Sequence, residues 1–124
     1  MILFDTTVVI DHLRGNADAS KLLLEAVRAD EAACSVLTRF EIEGGMRSDE
    51  RFVVRRLMAV LHSEPVTEEI AVRAGELMRS YRRSHPGIDA VDYLIAATAE
   101  LRDARLLTLN VKHFPMVEGL VAPY

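Results

Sequence analysis

The sequence is short of several residue types, and each shortage excludes something. Its 124 residues hold a single cysteine, Cys34. One thiol closes no internal disulfide, and zinc ribbons, zinc fingers and CxxC redox chemistry all need more. So little cysteine suits a reducing cytoplasm. Lysine is scarce too: among 15 basic residues only Lys21 and Lys112 are lysine, and the rest are arginine. With 19 acids the net charge is −4, which excludes a nucleic-acid grip built on bulk positive charge. Arginine makes planar, bidentate contacts to phosphate and carboxylate, so local patches matter more than the sum. The four prolines and six glycines are scattered, leaving no linker and no repeat. Ile2-Leu3-Phe4 runs straight into Asp5, without the basic and long apolar regions of a signal peptide. No apolar run approaches the ~20 residues that span a bilayer, so no membrane partner is expected.

What is present is an ordinary globular balance, 50% hydrophobic and 27% charged. That excludes a disordered tail, a collagen-like fibre and a mucin-like stalk. The length predicts one domain, residues 1–124, able to bury roughly two-thirds of its unfolded surface. Short apolar stretches alternate with helical ones. Residues 2–4, 34–36 and 105–109 read as strands, 64–66 as an edge strand that tolerates Pro65, and 119–122 as a last short strand. Helices are predicted over 7–13, 18–29, 38–45, 49–61, 67–83 and 89–101. Thr67 caps the fifth, with Glu68 and Glu69 favourably in its first turn. The alternation predicts an α/β fold: a central, mostly parallel sheet of four or five short strands flanked by helices, joined by right-handed crossovers. Ligands of such sheets bind beyond the carboxyl ends of the strands, so polar residues at those ends are the candidates.

Asp5 directly follows the first strand. Taken alone it also reads as a cap for the next helix. Glu41 stands three residues after Thr38, a capping-box spacing, although a helix start beyond a strand also lies on the ligand edge. Asp92 is more telling. The stretch Tyr93-Leu94-Ile95-Ala96-Ala97-Thr98-Ala99 is apolar on nearly every face, which predicts a buried helix. Burying an unpaired carboxylate costs several kcal/mol, and the helix dipole returns only roughly 0.3–1 kcal/mol. A partner cation such as arginine, a metal or a raised pKa must make up the rest. Asp89, on the same face, reads as the cap of this helix, and Asn110 follows the last core strand, where it is also a common turn residue. Acids converging on one edge raise each other's pKa unless a cation intervenes. Without a thiol pair and with few histidines, an all-oxygen site suits Mg²⁺ or Mn²⁺. Such ions polarise phosphoryl oxygens and supply a nucleophile for in-line attack, which points to phosphodiester hydrolysis.

Four stretches occur in order across the chain: Ile2-Leu3-Phe4-Asp5-Thr6-Thr7, Thr38-Arg39-Phe40-Glu41-Ile42-Glu43-Gly44-Gly45, Asp92-Tyr93-Leu94-Ile95-Ala96-Ala97-Thr98-Ala99 and Thr108-Leu109-Asn110-Val111-Lys112-His113-Phe114. This ordered set resembles the PIN-domain family, and within it the VapC-like toxins of VapBC toxin–antitoxin modules. The resemblance implies a parallel-sheet domain with Mg²⁺- or Mn²⁺-dependent endoribonuclease activity. It implies that Asp5, Glu41 and Asp92 are the acidic positions. Asp5 and Asp92 would hold the metal most directly, while Glu41 would bind through water or orient the attacking water. Thr6 and Thr108 would support the site. The family often has a fourth acid where this chain has Asn110, whose amide oxygen can still accept. The lost charge implies weaker metal binding, completed as RNA phosphate enters, with Asp89 a partial substitute. Ile42 stands where the family usually has leucine. The resemblance also implies a homodimer held by apolar helices and a VapB-like antitoxin laid across a groove. The apolar helix around residues 52–61 is a candidate for either contact, or for plain core packing. Arg79, Arg82, Arg83 and Lys112 are candidates for holding RNA, with Arg73, Arg47 and Arg51 behind them; their alternative is a solvated helix face.

Other readings are weaker. A Mg²⁺-dependent phosphatase of the haloacid dehalogenase type needs a second acid two residues after the first, where this chain has Thr7. A phosphorylation receiver domain needs a pair of acids after the first strand and a mid-sheet Asp, and neither is found. A phosphate-binding loop lacks its glycine signature, since Gly15 is isolated. A non-enzymatic alternative is a PIN-like module that binds RNA or protein with little or no cutting, an option that the neutral Asn110 leaves open.

Overall fold

Leu3 and Phe4 are neighbours, both fully buried, yet they belong to different hydrophobic clusters. Alternation along a strand does this: successive side chains leave on opposite faces. In the computed structural model, which describes all 124 residues, β1 (Ile2–Phe4) lies inside a four-stranded parallel sheet. Its partners are β2 (Ala32–Ser35) and β4 (Arg105–Leu107), and β3 (His62–Glu64) flanks β2 at the far edge. The order is β3-β2-β1-β4, parallel throughout.

Helices cover both faces. Phe4, Cys34 and Leu107 pack with residues of α1 (Thr6–Leu13), α2 (Ala17–Arg28), α3 (Val36–Gly45) and α4 (Arg51–Val60). Leu3, Ala33 and Leu106 pack on the other side with α5 (Glu68–Tyr81) and α6 (Ala90–Leu101). Fully burying a side chain such as Leu3 or Phe4 contributes about 1.5–3 kcal/mol, so β1 is the best-anchored strand available to carry a site. On α6, Ile95, Ala96, Ala97 and Ala99 are all buried, and the small side chains let the helix lie close against the sheet. No helix is long and apolar enough to cross a membrane.

The expected strands and helices are present, with instructive differences at their ends. No strand forms over 119–122, so the sheet has four strands. The edge strand is displaced to His62–Glu64 and stops before Pro65, which has no N–H to continue the ladder. The third helix begins at Val36 rather than Thr38, because Ser35 is its cap and accepts from the Leu37 N–H at 3.1 Å. Thr38 is therefore fully buried inside the first turns instead of forming a capping box with Glu41. The segment 49–61 is split into a 3₁₀ turn, Ser48–Glu50, and α4. Its apolar residues divide between two faces: Val54, Leu57 and Met58 enter the core, while Phe52, Val53 and Val60 are exposed.

The chain order places one particular crevice. From β1 it moves to β2 and β3 on one side, then crosses back to β4 on the other. The reversal falls between β1 and β4, and the gap beyond their carboxyl ends is where open parallel sheets bind ligands.

Candidate active site

Asp5 sits at that gap because of register. Leu3 pairs with Leu106 and Phe4 with Leu107, so the next rung sets Asp5 opposite Thr108. The Asp5 N–H donates to the Leu107 carbonyl at 2.9 Å, continuing the ladder by one bond. By alternation both side chains leave on the α6 side. There the buried Thr108 hydroxyl donates to Asp5 Oδ2 at 2.7 Å, across 103 residues of sequence. Asp5 occupies the cap position of α1, yet its side chain makes no capping bond. Helix capping is therefore not what the carboxylate is used for. The Thr7 hydroxyl is a long 3.4 Å from the same oxygen and accepts from the Leu109 N–H at 3.1 Å. Only 4% of Asp5 is exposed. Burial raises its pKa, hydrogen bonds from Thr108, the Thr6 backbone and Thr7 oppose the rise, and the charge of Asp89 adds to it.

Asp92 approaches from the layer below, in the first turn of α6, and is likewise buried. Asp89 caps the helix, accepting from the Asp92 N–H at 3.0 Å. The Asp92 carboxyl is pushed up to about 6, first by burial and then by the negative charge of Asp89, with a further push from Asp5. His113 pulls it back. The partner that the buried carboxylate called for is a histidine and not an arginine: His113 Nδ1 lies 3.0 Å from Asp92 Oδ2. His113 ends a 3₁₀ turn, Val111–His113, pinned from behind by the buried Phe114.

Glu41 stands apart. It is exposed on α3, where its Oε1 accepts from the Thr6 hydroxyl at 2.8 Å. Thr6 has one proton to give, so the buried Thr38 hydroxyl, 3.1 Å away, donates to the Thr6 oxygen. A short relay of hydroxyls thus ties Glu41 to the residue after Asp5. No three His, Cys, Asp or Glu side chains form a ready-made metal cage. The site is a coupled pair of buried carboxylates with a third carboxylate at its margin. Asn110 is exposed, and its backbone N–H donates to Thr108 Oγ1 at 3.0 Å. Its side chain makes none of the hydrogen bonds that hold Asp5 or Asp92.

The basic candidates separate into two groups. Arg73 is committed to Glu100 and Glu76, and Arg47 to Asp49 and Glu50. Arg79, Arg82, Arg83 and Lys112 are exposed and have no carboxylate within ion-pair distance. The first three lie at the carboxyl end of α5, on the connection that leads into α6 and hence to Asp92. Sequence reasoning missed three contributors: His113, Thr38 and Thr7. For His113 there was a signal, since a buried Asp92 demanded a partner. The hydroxyls gave none, because Thr is ordinary at helix starts.

The sequence profile of the PIN domain matches residues 2–118. The chain belongs to the PIN-domain family. Ribonuclease VapC10 of Mycobacterium tuberculosis is 52% identical over 124 residues, covering all of this chain and 93% of that protein. Ribonuclease VapC19 of the same organism is 50% identical over 125 residues, covering the whole of both. A toxin–antitoxin complex from Klebsiella pneumoniae superposes with a TM-score of 0.83 at 28% identity, over 100% of this chain and 98% of that one. FitAcB from Neisseria gonorrhoeae gives 0.74 at 26%, over 92% and 91%. This PIN domain therefore carries its Asp5–Asp92 pair at the gap between β1 and β4, on a fold shared with toxin–antitoxin proteins.

Proposed function

We propose that this PIN domain is a divalent-metal-dependent endoribonuclease, the toxin of a type II toxin–antitoxin pair. The observation that carries the reading is the Asp5–Asp92 pair: two buried carboxylates, each with its pKa raised, at the one point of the sheet where the topology opens a crevice. Such a pair is an unfavourable way to build a core, since burial and mutual repulsion both act against the ionised forms. Hard oxygen donors in a negative pocket fit Mg²⁺ or Mn²⁺, with Asp5 and Asp92 as direct ligands and Glu41 reaching in through water. Such an ion supplies charge neutralisation, polarisation of the phosphoryl group and an activated water.

The chain's own residues do the rest. Thr108 fixes the orientation of Asp5 from below, and Thr6 holds Glu41 toward the site margin. Asn110 lines the same edge without adding charge. Arg79, Arg82, Arg83 and Lys112 are free to hold RNA phosphates beside the acids. With a net charge of −4, that grip is local, and non-specific attraction to RNA is weak. The partners that follow are an RNA substrate, a VapB-like antitoxin and a second copy of the chain, with the exposed Phe52, Val53 and Val60 of α4 offered for an apolar contact. We assign the protein to the cytoplasm, where its substrate would be. The phosphatase reading gains nothing here: the Thr7 hydroxyl contacts Asp5 and the Leu109 N–H and is neither an acid nor a base at neutral pH.

Asn110 favours a second reading, a PIN module that binds RNA without cutting it. One experiment separates them. The EDTA-stripped protein is melted with and without MnCl₂, beside Asp5→Asn, and both are then given total cellular RNA. Metal at ten times its dissociation constant stabilises the fold by about 1.4 kcal/mol, a rise on the order of 5 °C for this size. The nuclease reading expects that rise and new RNA fragments in the native chain, and neither in Asp5→Asn. RNA binding without fragments and without a metal-dependent rise would replace it with the binding module.

A further inference from the structure

We infer that His113 is a positioning residue of the acid site: it clamps one oxygen of Asp92 so that the other faces the incoming cation. The inference rests on the metal-nuclease reading above. Among the residues beyond the last core strand, sequence reasoning weighed Asn110 as the site member. The structure assigns the direct contact to His113, whose Nδ1 lies 3.0 Å from Asp92 Oδ2, while the Asn110 side chain makes no hydrogen bond to either buried acid.

Three features make this more than a surface ion pair. First, the contact is to a carboxylate whose side chain is only 11% accessible, so the hydrogen bond acts where water competes poorly. Second, the histidine is held from the chain behind it. The turn Val111–His113 is closed by the His113 N–H donating to the Asn110 carbonyl at 2.9 Å, and the Phe114 N–H donates to the Val111 carbonyl at 3.1 Å. Phe114 is fully buried in the α5–α6 cluster. Third, the same short segment holds the other acid. Thr108 donates to Asp5, and the Asn110 N–H donates to Thr108. The stretch 108–114 thus sets both carboxylates at once, Asp5 through a hydroxyl and Asp92 through an imidazole. A group that orients a ligand carboxylate in this way is worth ten- to a hundred-fold in metal affinity.

An ionised Asp92 takes a hydrogen bond from the Nδ1–H tautomer, which leaves Nε2 as the bare nitrogen. That tautomer is the direct readout, and it needs no metal. Long-range ¹H–¹⁵N spectra of the imidazole groups are recorded on the EDTA-treated full chain at pH 7.5. His113, assigned with His113→Ala, is expected to carry its proton on Nδ1, and the signature is expected to vanish in Asp92→Asn. Mn²⁺ is then titrated into the native chain, Asp92→Asn, His113→Ala and His113→Asn. The asparagine amide can put a donor near the place of Nδ1. His113→Ala is expected to weaken Mn²⁺ binding at least tenfold while still melting cooperatively in EDTA, and His113→Asn to recover most of the affinity. Native-like affinity in His113→Ala, beside clear loss in Asp92→Asn, would overturn the inference and leave the metal site standing. An Nε2–H tautomer indifferent to Asp92→Asn would overturn it too. If the native chain itself fails to bind Mn²⁺, the metal reading falls and the inference with it, an outcome told apart by the native titration alone.

Discussion

Replacing Asp92 by asparagine should make the metal-free protein more stable at neutral pH, although it removes a hydrogen-bonded, buried side chain. Burial and the nearby Asp89 charge hold the Asp92 carboxyl at about 6, against an ordinary value of 3.8. At pH 7.5 the fold must therefore carry an ionised group that it prefers neutral. A shift of about two units at 1.36 kcal/mol per unit corresponds to a ceiling of about 3 kcal/mol, and water at the mouth of the crevice trims this to about 2 kcal/mol. For this size about 4 °C accompanies each kcal/mol, so Asp92→Asn is expected to melt about 8 °C higher in EDTA at pH 7.5. The sign can be followed through pH. Below 3.8 the native carboxyl is protonated in both states and no gap exists. Between 3.8 and about 6 the folded chain binds more protons than the unfolded chain, so native stability falls as pH rises. Above about 6 the gap is complete. The assay is a series of melts from pH 3.5 to 8 on both proteins, with EDTA throughout. An Asp92→Asn protein no more stable than the native chain at pH 7.5, or a gap that ignores pH between 4 and 6.5, would refute the reasoning. Asp5, also raised by burial, is present in both proteins, and removing the Asp92 charge that it repels acts in the same stabilising direction.

Two further outcomes follow from the same geometry. Thr108→Val keeps the volume but strips the donor from Asp5 Oδ2 and the acceptor from the Asn110 N–H. With Thr108 fully buried, orphaned groups of this kind cost about 1–3 kcal/mol, and a urea titration should show about 2 kcal/mol lost; a loss under about 0.5 kcal/mol would mean water replaces the hydroxyl. Replacing both Arg82 and Arg83 by alanine should leave stability unchanged, since both are exposed and unpaired. The slope of log affinity for single-stranded RNA against log salt should fall by about 0.7 for each phosphate contact removed, and an unchanged slope would assign the two arginines to a solvated face.

Much of this was legible in the sequence because it depended on short-range rules. Alternation and apolar runs placed β1, α2, α5 and α6 within a residue or two, and Asp5 at a strand end followed from them. Asp92 stood out because a carboxylate before an alanine-rich, apolar helix is expensive wherever it is buried. What was not legible depended on long-range geometry. Thr38 and Glu41 have capping-box spacing, but Ser35 captured the helix start and Thr38 was drawn into the core. The apolar count of 52–61 could not say which side chains face inward, since Phe52 and Val54 are both apolar and only Val54 is buried. His113 could not be paired with Asp92 in advance, because their 21-residue separation closes only when the 108–114 segment folds back over the start of α6.

The buried acids also explain why the support around them is built from hydroxyls and one imidazole rather than from arginine. A guanidinium in bidentate contact would stabilise Asp5 or Asp92 better than any threonine does. It would also occupy the carboxylate oxygens and supply the positive charge permanently, leaving nothing for a cation to gain by entering. Thr108 donates a single neutral hydrogen bond to one oxygen of Asp5, and His113 contacts one oxygen of Asp92. Both fix orientation while leaving most of the charge uncompensated. Burial, only partly offset by these hydrogen bonds, leaves both carboxyls raised. On the metal-nuclease reading, a divalent cation held by Asp5 and Asp92 would relieve their repulsion, and its binding would be coupled to the stability of the fold. Asn110 adds no charge to this edge, and because it is exposed it adds nothing to the burial cost that Asp5 and Asp92 carry.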